Sequence, residues 1–112
     1  MIQQINYRTE RVNELMKREL VVLLKQDTKD PRLQDVVITD VIVSRDLGSA
    51  KVYFSVAEES QKIASSLLNK ASGFFRSCLS KKLDLRHTPS LNFIYDTAPN
   101  TGARMDELLK KL

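Results

Sequence analysis

Ser72 and Gly73 stand side by side in the middle of a stretch whose apolar residues otherwise keep the spacing of one long amphipathic helix. Ile63, Leu67, Leu68 and Ala71 recur before the pair, and Phe74, Phe75, Cys78 and Leu79 after it. Glycine inside a helix costs about 1 kcal/mol relative to alanine, and sharp kinks commonly sit at Gly/Ser pairs. Because the stripe continues on both sides, the helix bends here rather than ends. A bend at Ala71-Ser72-Gly73 exposes backbone N–H groups, and the missing Cβ of Gly73 lets another backbone approach. Lys70 and Arg76 flank it with positive charge, a combination that suits a sugar-phosphate chain.

The elements around this bend follow from periodicity. Val12, Leu15, Met16, Leu20, Leu23 and Leu24 form one apolar face of a helix from about Arg8 to Gln26, with Asn6 or Thr9 as its cap. Asp30-Pro31 marks the exit, since the residue before a proline leaves helical geometry. Residues 36–44 are β-branched, with Val37, Thr39, Val41 and Val43 expected on one side of a strand. Arg45 to Ser49 read as a hairpin, and residues 50–56 return with Ala50, Val52, Phe54 and Val56 inward and Lys51, Tyr53 and Ser55 outward. The bent helix runs from Glu59 or Ser60 to Leu83. A third strand spans 91–96, and Met105, Leu108, Leu109 and Leu112 suggest a short closing helix. This order predicts a single α+β domain over residues 1–112, a two-layer sandwich with helices on one face of a three-stranded sheet.

Composition narrows the function classes. No apolar run approaches the roughly 18 residues of a membrane span, and residues 1–8 hold no signal-peptide core, so a cytoplasmic protein without membrane attachment is expected. Cys78 is the only cysteine, which excludes an internal disulfide. His87 is the only histidine, so the usual zinc ligand sets are missing, and no phosphate-loop, dinucleotide or zinc-protease motif occurs. Asp84, Asp96 and Asp106 are scattered single carboxylates. Neither an enzyme nor a cofactor is expected. The formal charge of +4 and pI near 9.3 mildly favour an anionic partner.

The candidate site is a basic series: Lys70, Arg76, Lys81, Lys82 and Arg86 through the second half of the bent helix, with Arg45 and Lys51 bracketing the hairpin. Their expected role is phosphate neutralisation, which positions RNA without reading its sequence. Asp46 is expected to cap the hairpin turn. Arg8, Arg11, Lys17 and Arg18 offer a second basic patch on the first helix, where Glu10, Glu14 and Glu19 make pairing at i to i+4 an equal alternative. Phe74 and Phe75 are both assigned to packing, and Cys78 to the buried stripe.

The order of elements resembles a type II KH domain, an RNA-binding fold that normally carries a G-x-x-G loop between two helices. None is present here. Ala71-Ser72-Gly73 stands in its place, and the chain is similar to the ribosome-binding factor A family, whose KH module has such an A-x-G kink. Arg11-Val12, Asp30-Pro31-Arg32, Val43-Ser44-Arg45-Asp46-Leu47, Ala50-Lys51-Val52-Tyr53 and Pro89-Ser90-Leu91-Asn92-Phe93 with Asp96 carry the resemblance from about Arg8 to Leu112. It implies a monomeric, non-enzymatic factor that binds the free small (30S) ribosomal subunit and its 16S rRNA near the 5′-terminal helix, late in maturation, and supports rRNA processing. A KH-like adaptor that docks on protein without touching RNA is the alternative, and a small RNA hydrolase a remote third.

Overall fold

The computed structural model describes residues 2–26, 28, 30–83, 85 and 87–97, with backbone only for 2–8. Helix α1 (Ile2–Gln26) is followed by a 3-10 turn at Pro31–Leu33, then strands β1 (Val37–Val43) and β2 (Ser49–Ser55). A second 3-10 turn at Glu58–Ser60 leads into α2 (Gln61–Lys70), α3 (Ser72–Lys82) and β3 (Ser90–Tyr95). The closing helix expected near Met105 to Leu112 lies outside the described residues. The sheet order is β1-β2-β3, with β1 antiparallel and β3 parallel to the central β2. Among the described residues no helix is long and apolar enough to cross a membrane.

Side-chain alternation gives β2 two faces. Ala50, Val52 and Phe54 are buried against the helices, whereas Ser49 and Lys51 are exposed on the opposite side. Met16 and Leu20 of α1, Leu68 of α2, and Phe75 and Leu79 of α3 join them in one core. Each such side chain contributes about 2–3 kcal/mol by leaving water. α1 packs chiefly on β1, and α2 and α3 on β3. Helix α1 begins at Ile2 and runs through both Asn6 and Thr9, so neither residue caps it.

The expected alternation in β1 fails. Val37 is 59% exposed, while Ile38, Val41 and Val43 are buried in the core. The register slips between Ile38 and Asp40, so a β-bulge at Thr39 reverses the phase of the strand. Thr39 Oγ1 donates a 2.7 Å hydrogen bond to Oδ2 of Asp96, a carboxylate only 6% exposed beyond the end of β3.

The hairpin closes as expected on Asp46. Its Oδ1 accepts from Ser44 Oγ at 2.7 Å and from the Gly48 N–H at 2.9 Å. These donors hold the carboxyl below the ordinary aspartate range, the Ser44 hydroxyl first and the Gly48 amide second. The left-handed residue of the turn is Leu47 (φ 60°), whose side chain packs on the core. Asp30 likewise turns the chain after α1, accepting from the Arg32 N–H at 2.9 Å and from its guanidinium at 2.8 and 3.0 Å.

Both edges of the sheet are tied to helices by asparagines. Asn13 Oδ1 of α1 accepts from the Val43 N–H at 2.8 Å. Asn69 of α2 accepts from the Phe93 N–H at 2.9 Å and donates to the Phe93 carbonyl at 3.0 Å, imitating one rung of a missing strand. Edge groups that would otherwise await a pairing partner are thereby used.

Candidate nucleic-acid interface

The break between α2 and α3 is a one-residue joint at Ala71. Its N–H donates to the Leu67 carbonyl and its own carbonyl accepts from the Phe75 N–H, both at 3.0 Å, so it closes one helix and opens the next. With φ −90° and ψ 5°, Ala71 sits in the sparsely populated bridge region, where active-site residues are often found. Two struts hold the joint against β3 and the segment that leads into it. Asn69 grips Phe93 from the α2 side, and Arg76 Nε donates to the Thr88 carbonyl at 2.9 Å from the α3 side.

Gly73 is therefore not the hinge. It lies in the first turn of α3 with no left-handed torsion, is exposed, and a Cβ built on it would meet nothing within 4 Å. Packing inside the chain gives no reason for glycine here. The open space faces outward, beside helix-start N–H groups that intrahelical geometry leaves without carbonyl partners.

The structure divides the sequence-predicted residues among three places. Lys70, Ala71, Ser72, Gly73 and Arg76 gather at the joint, with Lys70, Gly73 and Arg76 exposed. Lys81 and Lys82 end α3 in solvent, about 13 Å along the axis from Gly73. Arg45 is exposed on the hairpin, and Lys51 projects from the sheet face opposite the helices, so it cannot share a contact surface with the joint. Arg86 lies outside the described residues.

Three corrections change the surface. Phe75 is buried at 1% exposure, but Phe74 is 51% exposed and is not core. Ile63, counted in the apolar stripe, is 52% exposed, and Cys78 is only partly buried. On α1, none of Glu10, Glu14 and Glu19 comes within ion-pair distance of a cation among the described residues. By sequence α1 carries five cations against these three glutamates.

A signal that sequence reasoning passed over becomes plain on this surface. Between Glu59 and Asp84 there is no carboxylate, while Lys62, Lys70, Arg76, Lys81 and Lys82 all fall in that interval. All five are exposed. A shallow hollow along α2 is lined by Gln61, Lys62, Ser65, Ser66, Asn69 and Lys70, cations and hydrogen-bond donors that run from the start of the helix to the edge of the joint. Such a face attracts phosphates at long range and offers hydroxyl, amide and ammonium donors at contact. Among the described residues no group of His, Cys, Asp and Glu has metal-binding geometry.

Residues 8–109 match the family model described as ribosome-binding factor A. Ribosome-binding factor A of Ruthia magnifica subsp. Calyptogena magnifica is 61% identical over 112 residues, which is 100% of each chain. The crystal structure of ribosome-binding factor A from Thermus thermophilus is similar with a TM-score of 0.73 and 26% identity, covering 80% of this chain and 98% of that one. A homology model of the T. thermophilus protein, fitted into the cryo-electron-microscopy map of a 30S–RbfA complex, is similar with a TM-score of 0.57 and 25% identity, covering 71% of this chain and 90% of that one.

Proposed function

Since the chain belongs to the ribosome-binding factor A family, we propose that it is a ribosome assembly factor that binds the free 30S subunit and contacts 16S rRNA near its 5′-terminal helix in late maturation. It acts in the cytoplasm as a monomeric single-domain KH-like module, supports 16S rRNA processing, and works by binding energy rather than bond chemistry. The observation that carries this reading is the carboxylate-free surface around the Ala71 joint, where Lys70, Ser72, Gly73 and Arg76 meet a hollow lined by further donors. The T. thermophilus neighbour fitted in a 30S complex supports the same partner. Lys81 and Lys82 extend the contact, while Arg45 and Lys51 belong to separate, secondary contacts, and Arg86 is a further RNA contact proposed from its place in the basic series of the sequence.

The mechanism is differential affinity. A protein that prefers the immature rRNA arrangement shifts the population toward it, and leaves when maturation favours another. Sedimentation of the tagged protein in a lysate tests this directly. Co-migration with free small subunits and absence from full ribosomes is expected; an even spread over all fractions refutes it.

A further inference from the structure

We infer that Phe74 is a stacking platform for an unpaired RNA base, and that it gives the joint surface a preference for single-stranded over duplex RNA. The inference rests on the RNA-binding reading above and adds the kind of RNA the surface selects.

A phenylalanine half in water needs a reason, because its neighbour Phe75 is fully accommodated by the core. Phe74 follows Gly73 directly, and Gly73 leaves open space on the same turn of α3. Its ring is supported from below. The Phe74 and Phe75 centroids are 5.6 Å apart at 64°, and Phe75 stands 5.6 Å from Phe93 of β3 at 57°. This file of three rings ends in a strand of the sheet, so the outermost ring is presented on a braced base rather than on a loose side chain. Lys70 and Arg76 lie within four residues of it, in a stretch of both helices that holds no acid.

Charge decides which partner suits such a ring. An exposed aromatic in a neutral setting fits an apolar protein patch. One set among cations, with no carboxylate from residue 60 to 83, fits a polymer whose backbone is anionic and whose side groups have π-faces. Bases inside a duplex are stacked on each other and offer no free face, whereas bases in loops and single strands can be splayed onto aromatic side chains. Among the described residues, the other large exposed apolar side chains, Val37 and Ile63, have no ring to offer.

The chain contains no tryptophan, so Phe74→Trp installs a single fluorescent reporter at this position. Titration with short single-stranded oligo(A) RNA should quench its emission, and a blunt RNA duplex of the same length should not. Phe74→Ala and Phe74→Leu should each weaken oligo(A) binding by roughly 5- to 100-fold, with duplex binding and melting temperature unchanged. If wild-type protein binds oligo(A) and both variants match it, the stacking role is refuted while RNA binding stands. If leucine restores what alanine loses, the contact is apolar burial and stacking is again refuted. If wild-type protein binds neither RNA, the RNA-binding reading itself fails, and the inference with it.

Discussion

Helix α1 and the α2–α3 pair cover the same sheet face, and each spends one asparagine on an edge strand, yet their outer surfaces differ in kind. α1 presents a hollow lined by Arg11 and Arg18 together with Glu10, Glu14 and Asp40. α2 presents a hollow of the same volume, about 570 Å³, lined by two lysines and uncharged donors. That volume does not distinguish them. What separates a surface for a polyanion from an ordinary solvated face is the absence of carboxylates, not the number of cations, because α1 has as many cations as α2 and α3 combined.

Charge reversal is the strongest way to break this comparison. Lys62→Glu with Lys70→Glu should weaken association with purified 30S subunits by on the order of 10- to 100-fold and flatten the salt dependence by about two in log–log slope. Arg11→Glu with Arg18→Glu, the matched change on α1, should cost less than about two-fold. Filter binding across a salt series measures both. Equal losses would show that the whole protein field, rather than one face, governs binding.

The two asparagines allow a second test. Asn69→Leu removes hydrogen bonds to both polar groups of Phe93 and one to the Ser65 carbonyl, and should lower stability to urea by about 2–3 kcal/mol. Asn13→Leu removes only the bond from Val43 and should cost about 1 kcal/mol. Only the first should also reduce 30S affinity at a temperature where both variants stay folded, because only Asn69 braces the joint. If Asn13→Leu loses affinity equally, the brace is simply part of the fold.

The parts legible in the sequence were those with local causes. Helical and strand periodicity placed the three strands and the outer ends of the helices within a few residues, apart from the α1 start, while the two 3-10 turns and the division of the bent helix into α2 and α3 were not read, and the Asx geometry of Asp46 was visible from its neighbours. Long-range contacts decided the rest. The bulge that turns Val37 outward is joined through Thr39 to Asp96, 57 residues away. The joint falls on Ala71 rather than on the Ser-Gly pair because Phe93 and Thr88 grip the helices on either side of it, a fact no helix propensity contains. Phe74 and Phe75 are about 100° apart on a helix, and only the restart of α3 at Ser72 determines which one enters the core. The carboxylate-free run was present in the sequence all along, but a net charge of +4 averages it with the mixed charges of α1 and the rest of the chain.

Gly73→Ala sharpens the functional side of the comparison with a smaller effect. The torsions at Gly73 are open to alanine and the added methyl meets nothing, so stability should rise by up to about 1 kcal/mol. Affinity for 30S should fall at the same time, since the methyl occupies the space through which an RNA backbone would approach. A thermal melt and a binding isotherm on one preparation measure the two signs. Stability and affinity rising together would mean that nothing approaches Gly73.

Acid titration gives the smallest effect and separates the hairpin from the joint. The Asp46 carboxyl is held below its ordinary range by the Ser44 hydroxyl and the Gly48 amide, so it binds a proton less readily folded than unfolded. Its stabilising contribution is therefore complete above the unfolded value of about 4, and is lost as pH falls through the lower folded value. Asp46→Asn should flatten that part of the stability curve measured by urea unfolding, and Ser44→Ala should flatten it partly. The α2–α3 surface contains no carboxylate to titrate over the same interval, so Asp46→Asn should leave 30S affinity at neutral pH unchanged. A loss of affinity in this variant would place the hairpin, with Arg45, inside the primary contact and join two regions that the structure holds apart.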